Sequence, residues 1–220
     1  MELSSSLPDQ PGIYIFKDVS GHVLYVGKAK NLRTRVASYR RRGAKLGPKT
    51  SILVSNIKSI SHIPVASELE ALLLEANLIK KYEPLYNVRW MDGKAYPFIK
   101  ITVKDAYPAV LQSRKIDDKK SLFFGPFPNI GDVRRILKSV RKIFPYQSVR
   151  NHPKKSCLYY HIGLCPCPPL LDVKGLGKYR RNIRYLIQFL KGKKGKVVTE
   201  LEGEMIQASE KEEFEEATQI

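Results

Sequence analysis

The stretch GIYIFKDVSGHVLYVGKAKNLRTRVASY, residues 12–39, indicates two short strands joined by a turn and followed by a basic helix. We predict the first strand over Gly12–Lys17 and the second from about His22 to Gly27, because apolar and aromatic residues flank the turn-forming sequence DVSG. Asn31 is a suitable N-cap for a helix that reaches toward Arg42.

Each predicted strand carries a tyrosine two residues from a glycine, Tyr14 in the first strand and Tyr25 in the second. A tyrosine in a strand usually packs into a core, but a nearby glycine leaves room for a backbone or a ligand to approach. Lys28 follows Tyr25 by three residues, and its positive charge could lower the pKa of a phenol. The two tyrosines are therefore candidate site residues, with ordinary packing as the alternative.

The helix predicted after the second strand is strongly basic. From Lys28 to Arg42 there are seven lysines and arginines and no acid, a density that attracts phosphates irrespective of base sequence. Arg35 and Tyr39 are four residues apart, so one helix face can present a guanidinium and a phenol to the same ligand. The alternative is a solvated basic face with Tyr39 packed on the sheet. The other candidate phosphate contacts are Lys30, Arg33, Arg40, Arg41 and Arg42.

The clearest helix is SELEALLLEANLIKKYEP, which begins with a capping box formed by Ser67 and Glu70. At about 100° per residue, Glu75 falls within the apolar arc of this helix. A buried carboxylate without a partner costs several kcal/mol. Glu75 is therefore either a metal ligand or half of a buried salt bridge, for instance to Lys28 or Arg35.

The rest of the chain alternates between strand and helix patterns. We predict a helix near Lys49–Asn56 and a strand over 57–65, then strands in YPFIKITV, PAVLQSRKI and SLFFGPFP, a helix over about Ile130–Ile143, and a proline- and cysteine-rich loop over Asn151–Leu171.

Charge points to a polyanionic partner. The 39 lysines and arginines outnumber the 21 acids, which gives a formal net charge of +18, although a protein that is merely basic is the alternative. Nine basic residues and no acid occur over Lys174–Lys196, whereas Glu200–Glu216 holds eight glutamates and one lysine, which favours a separate docking element at the C-terminus. We see no secretory signal, membrane span or disulfide framework, and we expect a cytoplasmic protein.

Taken together, these residues resemble the GIY-YIG nuclease superfamily and, within it, the UvrC family of excinucleases. The motifs that carry the resemblance are PGIYIFKD, LYVGKAKNLRTRVASY, EALLLEANLIKKYEPLYNV and FFGPF. The resemblance implies an α+β fold with a small antiparallel three-stranded sheet flanked by helices, followed by a mixed β/α extension and a helical C-terminal tail. It implies four parts: a GIY-YIG endonuclease domain (1–95), an extension with the Cys/Pro-rich loop (96–172), a basic linker helix (173–198) and an incomplete UVR docking motif (199–220).

The resemblance also implies an activity, metal-dependent hydrolysis of a DNA phosphodiester on the 3′ side of a lesion in nucleotide excision repair and the SOS response. Glu75 would hold Mg²⁺ or Mn²⁺, and Lys30, Arg33 and the three arginines at 40–42 would bind DNA. The residues that match the family's catalytic positions are Tyr14, Tyr25, Lys28, Arg35, Tyr39 and Asn87, the last as a structural or substrate-contacting residue. We expect Tyr25, its pKa depressed by Lys28 and the metal, to act as the base. The alternatives are a non-catalytic DNA-binding or adaptor module and a stand-alone 3′-incising nuclease of the Cho type.

The implied partners are damaged double-stranded DNA and a UvrB-like protein that binds the C-terminal acidic helix. Met205, Phe214 and Ala217 would supply the apolar contacts of that helix. The sequence stops where the second helix of the docking hairpin would begin. We therefore expect an N-terminal fragment, a truncated product or a reduced homologue.

The cysteines depart from the family, whose four-cysteine set can hold an iron–sulfur cluster. Cys157 and Cys165 match two of the four positions, while Cys167 is two residues early. Three cysteines, with His161 or His152, could hold a metal. Because thiolate clusters generally take four ligands, we expect a loop that has lost its cluster.

Overall fold

The computed structural model describes residues 7–39, 47–88 and 96–210. The described residues up to Val103, together with Leu111–Ser139, form one compact unit, and Lys104–Val110 with the residues from Val140 onward form a second. The predicted division into four parts remains a prediction. Within the described ranges, no helix has the length and apolar character needed to cross a membrane.

The first unit contains an antiparallel three-stranded sheet, as predicted. Its strands are β1 (Gly12–Lys17), β2 (Val23–Ala29) and β3 (Ser59–Pro64), in the order β2-β1-β3. Four helices lie in the same part of the chain: α1 (Leu32–Ser38), α2 (Pro48–Asn56), α3 (Glu68–Tyr82) and α4 (Leu85–Val88).

The central strand β1 is buried on both faces because its side chains alternate between two hydrophobic clusters. Tyr14 and Phe16 pack with residues of α1 and α2 on one face. Ile13 and Ile15 pack with residues of α3 on the other. The sheet is therefore fixed between helices, and the tyrosine of β1 points to the α1 side.

Two helices begin at the predicted N-cap residues. The Asn31 side chain accepts a hydrogen bond from the backbone of Thr34, and the Ser67 side chain accepts one from the backbone of Glu70. Helix α1 ends at Ser38, and the predicted extension from residue 40 toward Arg42 lies outside the described residues.

The second sheet also has three strands, β4 (Phe98–Ile101), β5 (Val110–Ser113) and β6 (Leu122–Phe124), in the order β5-β4-β6. The helices after it are α5 (Ile130–Ile143), α6 (Leu158–His161), α7 (Val173–Leu190) and α8 (Lys194–Glu210), with a 3₁₀ turn at Pro168–Leu170. The architecture is α+β, with two small sheets and C-terminal helices.

Candidate active site

A cluster of tyrosines covers Gly27 on the α1 face of the first sheet. Gly27 pairs with Tyr14 across β1 and β2, and the ring centroids of Tyr14 and Tyr25 lie 6.0 Å apart. A Cβ on Gly27 would lie 2.7 Å from Cε1 of Tyr25 and even closer to the Tyr14 hydroxyl. The room that this glycine provides is therefore occupied by the two tyrosine rings.

Arg35 lies against two of the phenols. Its Nε donates to the Tyr14 hydroxyl at 3.4 Å, and its Nη2 donates to the Tyr39 hydroxyl at 3.3 Å. The two hydroxyls are hydrogen-bonded to each other at 2.9 Å, and the Tyr39 ring also packs edge-on against Phe16. Tyr39 therefore packs on the sheet and also shares a polar cluster with Arg35, while the presentation of this face to a ligand remains a prediction.

Burial is the largest influence on the pKa of Tyr14 and of Tyr25. It raises the pKa of Tyr14 well above its usual value of 10.0. It also raises the pKa of Tyr25, with further contributions from Tyr39 and the Glu75 carboxylate, whereas Tyr14 and Arg35 oppose the rise. Without a cation the pKa of Tyr25 is thus raised by burial, and the Lys28 ammonium points to carboxylates. The expectation that Lys28 and a bound metal together depress this pKa remains a prediction.

Glu75 is buried, as its place in the apolar arc of α3 predicted, with only 4% of its surface exposed. Its Oε1 accepts a hydrogen bond from the backbone N–H of Lys28 at 3.0 Å, and its Oε2 lies 3.5 Å from Lys28 Nζ. Burial raises the pKa of Glu75, and the charge of Lys28 opposes this rise. Of the two partners considered from the sequence, Lys28 forms the salt bridge.

The free edge of β2 explains why Glu75 and Asn87 lie where they do. Val26 and Lys28 are two residues apart, so their backbone N–H groups point in the same direction, away from β1. The Asn87 amide pairs with both backbone groups of Val26, each at 2.8 Å, and Glu75 accepts from the next N–H along the edge. Of the two roles expected for Asn87, structural or substrate-contacting, the structural role is supported, because its side-chain amide is hydrogen-bonded to the backbone of β2.

Asp132 is a site residue that the sequence reasoning missed. Its carboxylate is 3% exposed, and its Oδ2 accepts hydrogen bonds from Lys28 Nζ at 2.9 Å and from Asn129 Nδ2 at 2.7 Å. Asp132 is 104 residues from Lys28 in the chain, and its local sequence, PNIGDV, resembles an ordinary helix start. Its negative charge contributes to the raised pKa of Glu75.

The donor set of Glu75 fits a divalent cation. Its Oε2 is buried and accepts no hydrogen bond from any residue that the structure describes, although Lys28 Nζ lies at ion-pair distance. A buried carboxylate oxygen in this state is suited to a hard cation such as Mg²⁺ or Mn²⁺, which prefers oxygen ligands.

The predicted cationic surface is partly present in the described residues. Lys30 is 80% exposed and lies 3.4 Å from a Glu68 carboxylate oxygen, while the guanidinium of Arg33 pairs with Asp9 at 2.6 Å. Exposed ion pairs of this kind contribute little to stability. Arg40, Arg41 and Arg42 lie outside the described residues.

The second unit holds a group of three cysteines and one histidine. Cys157, Cys165 and Cys167 are all free thiols, and His152 places a ring nitrogen among their sulfurs. His161, the other histidine considered from the sequence, is not part of this group.

Comparison with known proteins places these features in one family. A model described as the UvrC-like GIY-YIG domain matches residues 10–88, and a model described as the UvrC/Cho excinuclease middle domain matches residues 96–189. The chain belongs to the UvrC family. Of the site residues, those of the tyrosine cluster and Glu75 lie within the first match, and Asp132 lies within the second.

UvrC-family relatives align along most of the chain. The UvrABC system protein C of Caldanaerobacter subterraneus subsp. tengcongensis is 42% identical over 222 residues, which cover 97% of this chain and 36% of the relative. That of Streptococcus pneumoniae strain JJA is 43% identical over 213 residues, which cover 97% of this chain and 34% of the relative. The chain thus spans about a third of the length of these relatives.

A solved structure of the UvrC GIY-YIG N-terminal endonuclease domain from Thermotoga maritima, bound to magnesium as its catalytic divalent cation, is 43% identical. The match covers 38% of this chain and 89% of that one, with a TM-score of 0.35.

Proposed function

We propose that this chain is a metal-dependent DNA endonuclease that hydrolyses a phosphodiester on the 3′ side of a lesion in nucleotide excision repair. The observation that carries this proposal is the buried Glu75 carboxylate, whose Oε2 has no hydrogen-bond donor among the described residues. The charge of Glu75 contributes to the raised pKa of Tyr25, which supports treating the carboxylate and the phenols as one site. The relatives named UvrABC system protein C support the placement in excision repair.

Hydrolysis of a phosphodiester requires an oriented water, neutralisation of charge at phosphorus and stabilisation of the leaving oxygen. When bound, a divalent cation on Glu75 would supply Lewis-acid polarisation of the phosphate. We assign Arg35 to the non-bridging oxygens, because among the described residues its partners are neutral phenols and no carboxylate lies at ion-pair distance.

The phenols have a different role in the proposed hydrolysis. The raised pKa values of Tyr14 and Tyr25 keep both hydroxyls protonated at neutral pH without a bound cation. We therefore assign Tyr25 to orienting the attacking water by hydrogen bonding, and Tyr14 with Tyr39 to orienting Arg35. This assignment replaces the expectation that a phenolate of depressed pKa is the base.

Asp132 would act through Lys28. By accepting the Lys28 ammonium at 2.9 Å, Asp132 offers it a second buried carboxylate besides Glu75. Lys28 can then remain paired while Glu75 binds a cation. Asp132 is thus a positioning residue in this proposal.

The experiment uses a duplex with one defined lesion, labelled at either end, incubated with the purified chain and the other UvrABC-type components, in Mg²⁺ or in chelator. We expect one cut on the 3′ side of the lesion, abolished by chelator and reduced about 100-fold or more in Arg35→Ala. Arg134→Ala, which removes an exposed arginine of α5, is the matched control and should cut normally.

One observation favours a second candidate, a non-catalytic DNA-binding module. The Lys28 ammonium lies 3.5 Å from Glu75, so a salt bridge already compensates part of the charge of this carboxylate. Salt-sensitive binding of the duplex without any Mg²⁺-dependent product would establish the binding module and contradict the nuclease. A 3′ cut made by the chain alone would instead indicate a stand-alone enzyme of the Cho type.

We further propose damaged double-stranded DNA and a UvrB-like protein as partners, the latter bound through the C-terminal acidic helix, and a cytoplasmic location. Met205 and Ile206 of α8 are 45% and 55% exposed, which supports an apolar contact there, whereas Phe214 and Ala217 lie outside the described residues. Met205→Glu should weaken binding to a UvrB-like protein in biolayer interferometry, while Val173→Glu, at an exposed position of α7, should not. Equal affinity for the two variants would rule out this surface.

A further inference from the structure

The four candidate ligand atoms of the cysteine group lie close together. The Sγ atoms of Cys157 and Cys167 are 3.5 Å apart, and His152 Nε2 lies 3.7 Å from the sulfur of Cys165 and 3.6 Å from that of Cys167. All four atoms lie within 4.8 Å of one another. A tetrahedral zinc ion with bonds of about 2.3 Å to sulfur requires ligand atoms about 3.8 Å apart. The observed spacing therefore suits four ligands on one ion.

His152 is oriented as a ligand. Its Nδ1 lies 2.8 Å from the Pro153 carbonyl oxygen, and a carbonyl only accepts hydrogen bonds. Nδ1 must therefore carry the proton in the neutral ring, which leaves a lone pair on Nε2, the atom that faces the sulfurs. Such a hydrogen bond from the remote nitrogen to a carbonyl is the usual support of a metal-bound histidine.

The ligands are also held in place by the local fold. Cys157 immediately precedes α6, and Cys167 precedes the 3₁₀ turn in a left-handed conformation with φ of 48°. A left-handed conformation at a residue other than glycine is strained and is usually kept where a site needs it. Arg141 stacks between the rings of Tyr146 and Tyr159, at 4.5 and 4.3 Å from their centroids, which anchors α6.

The iron–sulfur cluster implied by the family does not fit these residues. In a cubane cluster each thiolate binds a different iron, so the sulfurs lie roughly 6 Å apart. The 3.5 Å between the sulfurs of Cys157 and Cys167 is far shorter. The group also offers three thiols rather than four.

From this geometry we propose that His152, Cys157, Cys165 and Cys167 bind one zinc ion in a closed tetrahedral site that fixes the loop between α5 and α7. Four protein ligands leave no open position, so the role of the ion is structural. Three thiolates and one Zn²⁺ carry a net charge of −1, and Lys154 and Lys155 between the first two ligands supply compensating charge. The site does not depend on the proposed nuclease activity.

The test begins with the full chain purified without a polyhistidine tag or chelator. Elemental analysis should give one zinc per chain, without iron or acid-labile sulfide. After removal of zinc, addition of Co²⁺ should produce the intense d–d absorption of a tetrahedral complex, which lies in the red region of the visible spectrum. A thiolate-to-cobalt charge-transfer band should appear in the near ultraviolet.

Variants separate the ligands from their surroundings. His152→Ala should lower zinc affinity by at least roughly 100-fold, since even supporting partners of metal ligands account for 10- to 100-fold. His152→Cys should restore binding with a shifted cobalt spectrum, and His161→Ala is the matched control that should bind as wild type. The proposal would be overturned if the purified chain contained iron with equimolar sulfide, or if it took up neither zinc nor cobalt. It would also be overturned if His152→Ala and His161→Ala lost the same amount of zinc affinity.

Discussion

The ammonium of Lys28 lies 2.9 Å from Asp132 Oδ2 and 3.5 Å from Glu75 Oε2. Both carboxylates are almost completely buried, so one lysine compensates part of the charge of each. The shorter contact is to Asp132, which also accepts from Asn129. This arrangement lets Glu75 exchange the lysine for a cation without leaving the ammonium unpaired.

Asp132→Asn should weaken Mn²⁺ binding by about five- to tenfold, because Lys28 then has only Glu75 as a carboxylate partner and competes with the cation. Isothermal titration with Mn²⁺ measures this effect. In a Lys28→Met background the same substitution should matter much less, since the competing ammonium is gone. Equal effects in the two backgrounds would show that Asp132 does not act through Lys28.

Asn87→Ala should destabilise the first sheet by about 2–4 kcal/mol, because it leaves an N–H and a C=O of the buried Val26 without partners. The free energy of unfolding from urea denaturation is the measurement. Asn56→Ala is the control, because the amide of this exposed asparagine donates only solvent-exposed hydrogen bonds, to the Ile52 carbonyl and the Tyr86 hydroxyl, and we expect a change of less than about 1 kcal/mol. A loss no larger than that of the control would mean that the edge of β2 does not depend on this amide.

Gly27→Ala should displace the tyrosine rings, because the added Cβ would lie 2.7 Å from Cε1 of Tyr25. We expect a destabilisation of about 1–3 kcal/mol, a changed near-ultraviolet circular dichroism spectrum and loss of DNA cleavage. Gly203→Ala in α8 meets no atom within 4 Å and should stabilise the helix slightly. An unchanged tyrosine spectrum in Gly27→Ala would contradict the packing described here.

Asp118 should make a pH-dependent contribution to the stability of the region around the second sheet. Its carboxylate lies 2.6 Å from the ammonium of Lys100, and a hydrogen bond from this ammonium lowers the pKa of Asp118 below its usual 3.8. Because the folded pKa is the lower one, the stabilisation is present above the usual value and is lost as the pH falls toward the folded value. Asp118→Asn should therefore be less stable than wild type at pH 7, and the difference should shrink between about pH 5 and pH 2. A difference that is constant across this range would exclude an ionic origin.

Local signals predicted much of the fold. The alternation in β1, the caps at Asn31 and Ser67, and the apolar arc that buries Glu75 all depend on residues close in sequence. The sequence also suggested Lys28 as one example of a salt-bridge partner for Glu75, and this ion pair is observed.

Features that depend on distant residues could not be predicted in this way. The contact between Lys28 and Asp132 joins positions 104 residues apart, and no sequence pattern links them. The burial of Tyr25, which raises its pKa in the absence of a cation, is set by the packing of whole elements and could not be read from the charge of Lys28 nearby in the sequence. Likewise, only the folded loop distinguishes His152 from His161.

The binding of Mn²⁺ to the wild type and to Glu75→Gln tests the central claim most directly. Glutamine keeps the shape and can still accept from the backbone N–H of Lys28, but it removes the charge that attracts the cation. We expect one Mn²⁺ per chain at this site in wild type, at least a tenfold loss of affinity in Glu75→Gln, and wild-type binding in Glu68→Gln, a control on the same helix. Equal Mn²⁺ affinity in wild type and Glu75→Gln would contradict the account.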